Sequence, residues 1–317
     1  VSIASRLSRG SSTGWLMFHA LWRSLLLIFL GIFLRSTGRP ITNFTFEDTL
    51  TQIGLGYFFL VLIGMAPRWV AWASLAVILV GYWGAFAATP IVEDVTSEQR
   101  GVSPEFFEKH GLTGFQAHWN KNANFAHDAD VWFLNKFPRQ EPFKYNGGGY
   151  QTLSFIPTLG TMIMGLLAGS YLQGQRPTAK RMLGLAIAGA ICLAVGMALG
   201  DFDIVPIVKR IWTPSWVLFS GGWCLLLLAA FYGAIDVTGW KALAFPLVVI
   251  GMNSIVAYCM DHLTAGFFRD ALIRHFGRSP FQVLGAAYEP LLVGGTLLLI
   301  WWLILFWLYR NRFFVRI

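Results

Sequence analysis

The sequence predicts an all-α polytopic membrane protein with eight transmembrane helices and one extracytoplasmic insertion, and three observations carry that prediction. Charged residues make up only 13% of the 317 residues while hydrophobic ones make up 56%, with 27 Phe and 14 Trp; a water-facing domain carries about 25% charge. The mean hydropathy is +0.57. The apolar residues run in long unbroken stretches instead of alternating with polar ones. These features exclude a soluble enzyme, a disordered chain and a secreted disulfide scaffold.

A hydrocarbon core about 30 Å thick takes roughly 20 apolar residues per helix. The stretches that meet this are 15–34, 50–66, 69–89, 152–173, 181–200, 214–235, 242–262 and 290–309, each bounded by charge, Pro or Gly. Asp48 or Thr49 caps the second. The glycines within spans, among them Gly54, Gly165, Gly169 and Gly189, suit close helix approach. No internal repeat or low-complexity tract interrupts the pattern, so residues 1–317 read as a single transmembrane helical domain. The segment 90–150, between the third and fourth spans, is too long and polar for a simple connector.

The net charge of +8 does not point to nucleic acid, because Lys and Arg cluster at the ends of apolar runs, as orientation signals do. Arg6, Arg9, Arg68, Arg176, Lys180, Arg181, Lys241, Arg310, Arg312 and Arg316 fall on one side and outnumber the cations of the short loops opposite. Both ends of the chain are therefore expected in the cytoplasm, with 90–150 outside. Cys192, Cys224 and Cys259 all lie within apolar runs and show no metal or disulfide spacing.

Ionisable groups at membrane depth cost about 2.5–3.5 kcal/mol on insertion scales, so each is a candidate for function. Arg23 lies inside the first span, placed either to meet a phosphate from the cytoplasm or to reach the headgroups. Gln52 and Tyr57 lie in the second. Asn253 sits mid-way along the seventh, which ends in Asp261-His262. In the outer segment, His118-Trp119-Asn120 and His127-Asp128 interleave aromatic, amide and acidic groups. Flat rings and hydrogen-bonding side chains of this kind bind sugars, and they also serve an ordinary folded loop. The same histidines and carboxylates lack a recognised metal spacing, and no metal is expected. Gly147–Gly149 read as a turn into the next helix.

Several runs together carry a resemblance. Pro206-Ile207-Val208-Lys209-Arg210-Ile211-Trp212-Thr213-Pro214-Ser215-Trp216-Val217 resembles the PxxKxxWTxSxV pattern of the heparan-α-glucosaminide N-acetyltransferase family and its bacterial relatives. Asp236-Val237-Thr238-Gly239-Trp240, with Gly251-Met252-Asn253-Ser254-Ile255 after it, is similar to the family's DVKGW and GMNSI. Leu153 to Pro157 with Gly165–Gly169, and Ile3 to Arg6 with Trp22 to Leu27, fit the same family in order.

The resemblance implies an acyltransferase, with about ten spans in the intact protein, that takes acetyl-CoA from the cytoplasm and acetylates an amino sugar or related glycan on the far side. Such a reaction needs donors for the thioester oxyanion and cationic anchors for the nucleotide; the candidates are Arg23 as a coenzyme contact and Asn253, Trp212 and Ser215 as site-lining residues, beside the polar groups Gln52, Tyr57, Asp261 and His262 already picked out. The family's catalytic His corresponds to a position upstream of Val1, and the family's PGVLQRI arginine is replaced by Gln52. Integral insertion, in the cytoplasmic (inner) membrane, makes the lipid bilayer the first partner; a glycan is the second, and an oligomer is open. The polar groups and glycines within spans also suit a transporter or flippase-like carrier, and the outer segment suits a non-catalytic glycan-binding membrane protein.

Overall fold

The computed structural model describes residues 12–174 and 177–315. Arg6, Arg9, Arg176 and Arg316 of the orientation pattern, and the Ile3–Arg6 motif, lie outside the described residues. All regular structure among the described residues is helical: α1 (Thr13–Ser36), α2 (Thr49–Met65), α3 (Arg68–Ala87), α4 (Pro104–His110), α5 (Phe125–Leu134), α6 (Phe155–Leu172), α7 (Thr178–Asp201), α8 (Pro214–Tyr232), α9 (Lys241–Met252), α10 (Ser254–Phe276) and α11 (Glu289–Arg310). The chain forms two compact units, one ending at Gly233 and one beginning at Ala234.

Helix starts follow local chemistry. Ser12 Oγ accepts from Trp15 N, the Asp48 carboxylate from Leu50 N, and Thr213 Oγ1 from Trp216 N. Each ties down an N–H that has no partner in the first turn. Of the two caps expected for the second span, the structure uses Asp48.

Helices α1, α3, α6, α7, α8 and α11 belong to six segments long and apolar enough to cross a membrane; α9 and α10 together make a seventh if a bent pair is one span. The expected eighth, α2, is apolar but has 17 residues. The largest departure from expectation lies in the span read as 242–262. It breaks at Asn253, where the helices bend by 77°, and α10 continues to Phe276. Asp261 and His262 therefore lie within a helix and do not end one. The break has a local cause. Asn253 has φ −133° and ψ 42°, outside the helical region, and its carboxamide is engaged by the C-terminal segment: Nδ2 donates to Phe313 O at 3.1 Å and Oδ1 accepts from Val315 N at 3.0 Å.

In the first unit the helices pair as sequential hairpins, α1 with α2 and α7 with α8, and α6 packs against α2, α3 and α8. Small residues set both hairpins. A Cβ on Gly54 would come within 2.9 Å of Ser24 O, and one on Gly222 within 2.8 Å of Gly189 O. Gly165 and Gly169, expected at close contacts, have open space beside them. The bundle core gathers Leu75, Ile163 and Val217.

Segment 90–150 is built on the ends of these helices. It contains α4, a 3-10 helix (Gly114–Trp119) and α5. Trp119, 1% exposed, packs with Tyr82 and Phe86 of α3 and with Val205 and Ile211 from the α7–α8 connection. Its ring stacks on Phe86 at 6.1 Å.

Candidate functional site

The ends of α1, α3 and α7 and the starts of α2, α6 and α8 meet at the end of the first unit that carries the polar segment. Between them lies a cavity of about 470 Å³. Arg35 closes α1; Glu47 and Thr49 flank the start of α2, with Gln52 one turn further in. Asn146, Gly148, Tyr150 and Gln151 come from the strap entering α6, Ser154 and Thr158 from its beginning, and Lys209, Arg210 and Trp212 from the α7–α8 connection.

Each wall is fixed by backbone hydrogen bonds. Gln52 Nε2 donates to Phe46 O at 2.7 Å, Thr152 O at 3.1 Å and Gln151 O at 3.4 Å, which sews α2 to the α6 strap. Thr152 N in turn donates to both Asp130 oxygens, at 3.0 and 3.2 Å, anchoring the strap to α5. Tyr82 OH donates to Ile211 O and Trp83 Nε1 to Ile204 O, holding the α7–α8 connection to α3. Arg210 donates to Gly148 O and lies over the Tyr150 ring. Trp212 has φ +52°, a backbone conformation disfavoured for a bulky residue. Its Nε1 donates to Thr161 Oγ1 at 3.0 Å, and the indole is held at the cavity wall.

The electrostatics are mixed. Arg35, Lys209 and Arg210 give positive charge, but Arg35 is already paired with the buried Asp48 carboxylate at 3.4 Å. Burial raises the pKa of Glu47 against the opposing pull of its own backbone N–H and of Arg35. Behind the wall, burial raises Asp130 to about 6 even though Thr152 stabilises its charged form. His127 is pushed down to about 4, mainly by burial, with the charge of Arg100 adding to it. Its imidazole is neutral at pH 7.

The sequence candidates separate into groups. Gln52 and Trp212 line the cavity. Arg23 and Tyr57 meet mid-way along the α1–α2 hairpin, where Nη1 donates to the phenol oxygen at 3.1 Å and the guanidinium lies 5.3 Å from the ring centre. Ser215 is fully buried and donates to Pro206 O at 2.6 Å beside Thr213, bracing the connection from behind. His118 Nδ1 bonds Thr89 O, Trp119 is packed inward, and Asn120 is doubly bonded to the Leu112 backbone. His127 and Asp128 border a separate shallow cavity with Gln99 and Arg100. Asn253, Asp261 and His262 belong to the second unit, where His262 Nδ1 bonds Tyr258 O and lies 3.9 Å from Asp261. Among the described residues, no cluster of three His, Cys, Asp or Glu side chains is placed to hold a metal ion.

Sequence reasoning missed Arg35, Glu47, Gln151 and Ser154 as cavity residues. Their common signal is position: each lies at or just outside the end of an apolar run, on the side assigned to the polar segment.

No family model matches the chain. Among curated proteins it is similar to the human heparan-alpha-glucosaminide N-acetyltransferase, at 22% identity over an alignment 363 positions long that takes in 100% of this chain and 51% of that protein. The family resemblance holds from end to end. The chain spans about half the length of this relative, and the aligned stretch includes every helix described above. With its apolar helices, the chain is an integral membrane protein related to an N-acetyltransferase.

Proposed function

We propose that this chain carries the acceptor site of a transmembrane acyltransferase. An acetyl group passes from cytoplasmic acetyl-CoA to the amine of an amino sugar, or a related glycan, held in the cavity beside Gln52 and Trp212. The observation that carries the reading is the similarity to an N-acetyltransferase along the whole chain. The chemistry sets what the cavity must supply. The amine nitrogen attacks the thioester carbonyl carbon, the C–N bond forms, the C–S bond breaks, the amine gives up a proton and coenzyme A leaves as its thiol.

The cavity suits such an acceptor. Trp212 and Tyr150 give the lining aromatic surface against which a sugar packs, Thr49, Ser154, Thr158 and Asn146 are hydrogen-bonding partners for hydroxyls, and Glu47 binds protons more readily than an ordinary carboxylate. In this reading α2 and the bent α9–α10 pair cross the membrane too, both chain ends are cytoplasmic, and 90–150 faces outward from the inner membrane. Arg23, held by Tyr57, then lies on the coenzyme's route.

The test is transfer. Full-length protein in sealed vesicles is given labelled acetyl-CoA on one side and glucosamine on the other. Labelled N-acetyl sugar on the acceptor side is the expected result. Thioester consumption that is the same with and without any amine acceptor overturns the reading, as does solute uptake with no covalent change.

A further inference from the structure

The second unit holds a groove that the acyltransferase reading does not use. It lies between the last turns of α10 and the first turns of α11 and encloses about 530 Å³, within the range of small-molecule sites, about 300–1,000 Å³. Arg269, Ile273 and Arg274 line it from α10, and Val293, Gly294 and Leu297 from α11. The three- and four-residue spacing on α11 makes its contribution one stripe of that helix. The floor is apolar: Val293 and Leu297 are buried in a core with Leu272 and Phe281. Gly294 keeps the groove open, since a Cβ added there meets nothing within 4 Å.

Three arginines and two carboxylates line the groove and leave it one positive charge. The fold uses one acid and one base of the five. Gln282 Nε2 donates to Glu289 Oε2 at 2.6 Å, and Arg278 Nε lies 4.0 Å from Glu289 Oε1. Arg269 and Arg274 are exposed, and among the described residues neither guanidinium has a hydrogen-bond or ion-pair partner. Helix α11 belongs to a segment long and apolar enough to cross a membrane, so its start lies where hydrocarbon gives way to headgroups. Arg269 stands seven residues before the end of α10, about 10 Å along the axis at ~1.5 Å per residue. A cation that far along a helix packed on a span calls for an anion.

The two halves of the groove together select the ligand. Free phosphate pairs the arginines and leaves the apolar floor bare. A neutral lipid covers the floor and leaves the arginines unpaired. A phospholipid with one net negative charge does both: its phosphate oxygens accept from the guanidinium groups, its acyl methylenes cover Ile273, Val293 and Leu297, and its charge matches that of the groove. We propose that the α10–α11 groove binds one anionic phospholipid, with the phosphate on Arg269 and Arg274 and the start of an acyl chain beside Gly294 and Leu297. The site depends on α11 being a span and not on acetyl transfer.

Native mass spectrometry of the full-length protein, released from detergent and titrated with phosphatidylglycerol, tests this. One phosphatidylglycerol per chain is expected to bind about tenfold or more tightly than diacylglycerol, which lacks the phosphate, or glycerol phosphate, which lacks the chains. Replacing both arginines, Arg269→Gln with Arg274→Gln, should weaken retention of the lipid about tenfold or more. Gly294→Leu places a side chain in the open groove and should weaken it as well, with the melting temperature of the lipid-free protein unchanged; it carries the test if the double variant does not fold. Arg68→Gln, at the start of α3, removes an exposed cation outside the groove and should leave binding as it is. Retention that survives both groove substitutions overturns the site, as does an equal loss in Arg68→Gln, which makes the attraction one of bulk charge. Glycerol phosphate binding as tightly as the lipid overturns the lipid as occupant, and diacylglycerol doing so overturns the role of the arginines.

Discussion

At the scale of single residues, Asp130 and His127 stand within one turn of each other on α5, and burial shifts them in opposite directions. Asp130 has a folded pKa of about 6 against an ordinary 3.8. Its proton is held more tightly in the folded state, so its contribution is fully present below about pH 4 and is lost as pH rises toward 6. His127 has a folded pKa of about 4 against 6.5. Its contribution is present above pH 6.5 and is lost as pH falls through 4. In the wild type the two trends offset each other between pH 4 and 6. Asp130→Asn should gain melting temperature relative to wild type as pH rises through this window, and His127→Gln should gain as pH falls. Thermal unfolding of each variant from pH 4 to 7 checks both signs, and parallel profiles for the two variants would contradict the assignment. Neither shift was legible from sequence, because adjacent polar residues on a short loop helix do not reveal which of them the bundle end covers.

At the scale of elements, the hairpin α7–α8 depends on backbone meeting backbone at Gly189 and Gly222. Gly222→Leu must separate the helices, an overpacking cost of about 1–3 kcal/mol or more. It should lower the melting temperature, whereas Gly165→Leu on α6, with nothing within 4 Å of the added Cβ, should leave it nearly unchanged. Both glycines look alike in the sequence. The break between α9 and α10 makes a second case. Asn253→Ala leaves Phe313 O and Val315 N without their partner, at a cost of about 1–3 kcal/mol. Limited proteolysis at the C-terminal segment should accelerate in this variant, and an unchanged cleavage rate would show that the carboxamide does not hold that segment. The sequence marked Asn253 as a mid-span amide requiring a partner. It did not reveal that the partner would be the end of the chain, some 60 residues on.

At the scale of the whole molecule, topology is the prediction with the widest reach. Orientation of the first unit follows from the side on which 90–150 lies, since α3 leads into it and α6 out of it. A single cysteine at Ser97, in a background with Cys192, Cys224 and Cys259 replaced, should react with a membrane-impermeant maleimide from outside intact cells. Labelling only after lysis would reverse the assignment, and the cavity would then open to the cytoplasm. The polar segment shares Trp119, Tyr82 and Phe86 in one core with α3, so its role is tested in the full chain.

Composition and the length of the apolar runs determined by themselves that this is a helical membrane protein, and the ordered motifs pointed to a likeness to an N-acetyltransferase, because both properties are local: a span is about 20 consecutive residues, and a motif is a fixed spacing. The ends of the first six apolar runs lie within a few residues of helix ends for the same reason, and Asp48 marks one helix start through a side chain two residues from the N–H it caps. The break at Asn253 and the composition of the cavity were decided by tertiary structure. Gln52 and Gln151 are separated by almost a hundred residues, and only packing brings the Gln52 amide to the backbone carbonyls of Gln151 and Thr152. A sequence records the donors and acceptors, while only the packed helix ends determine which of them meet.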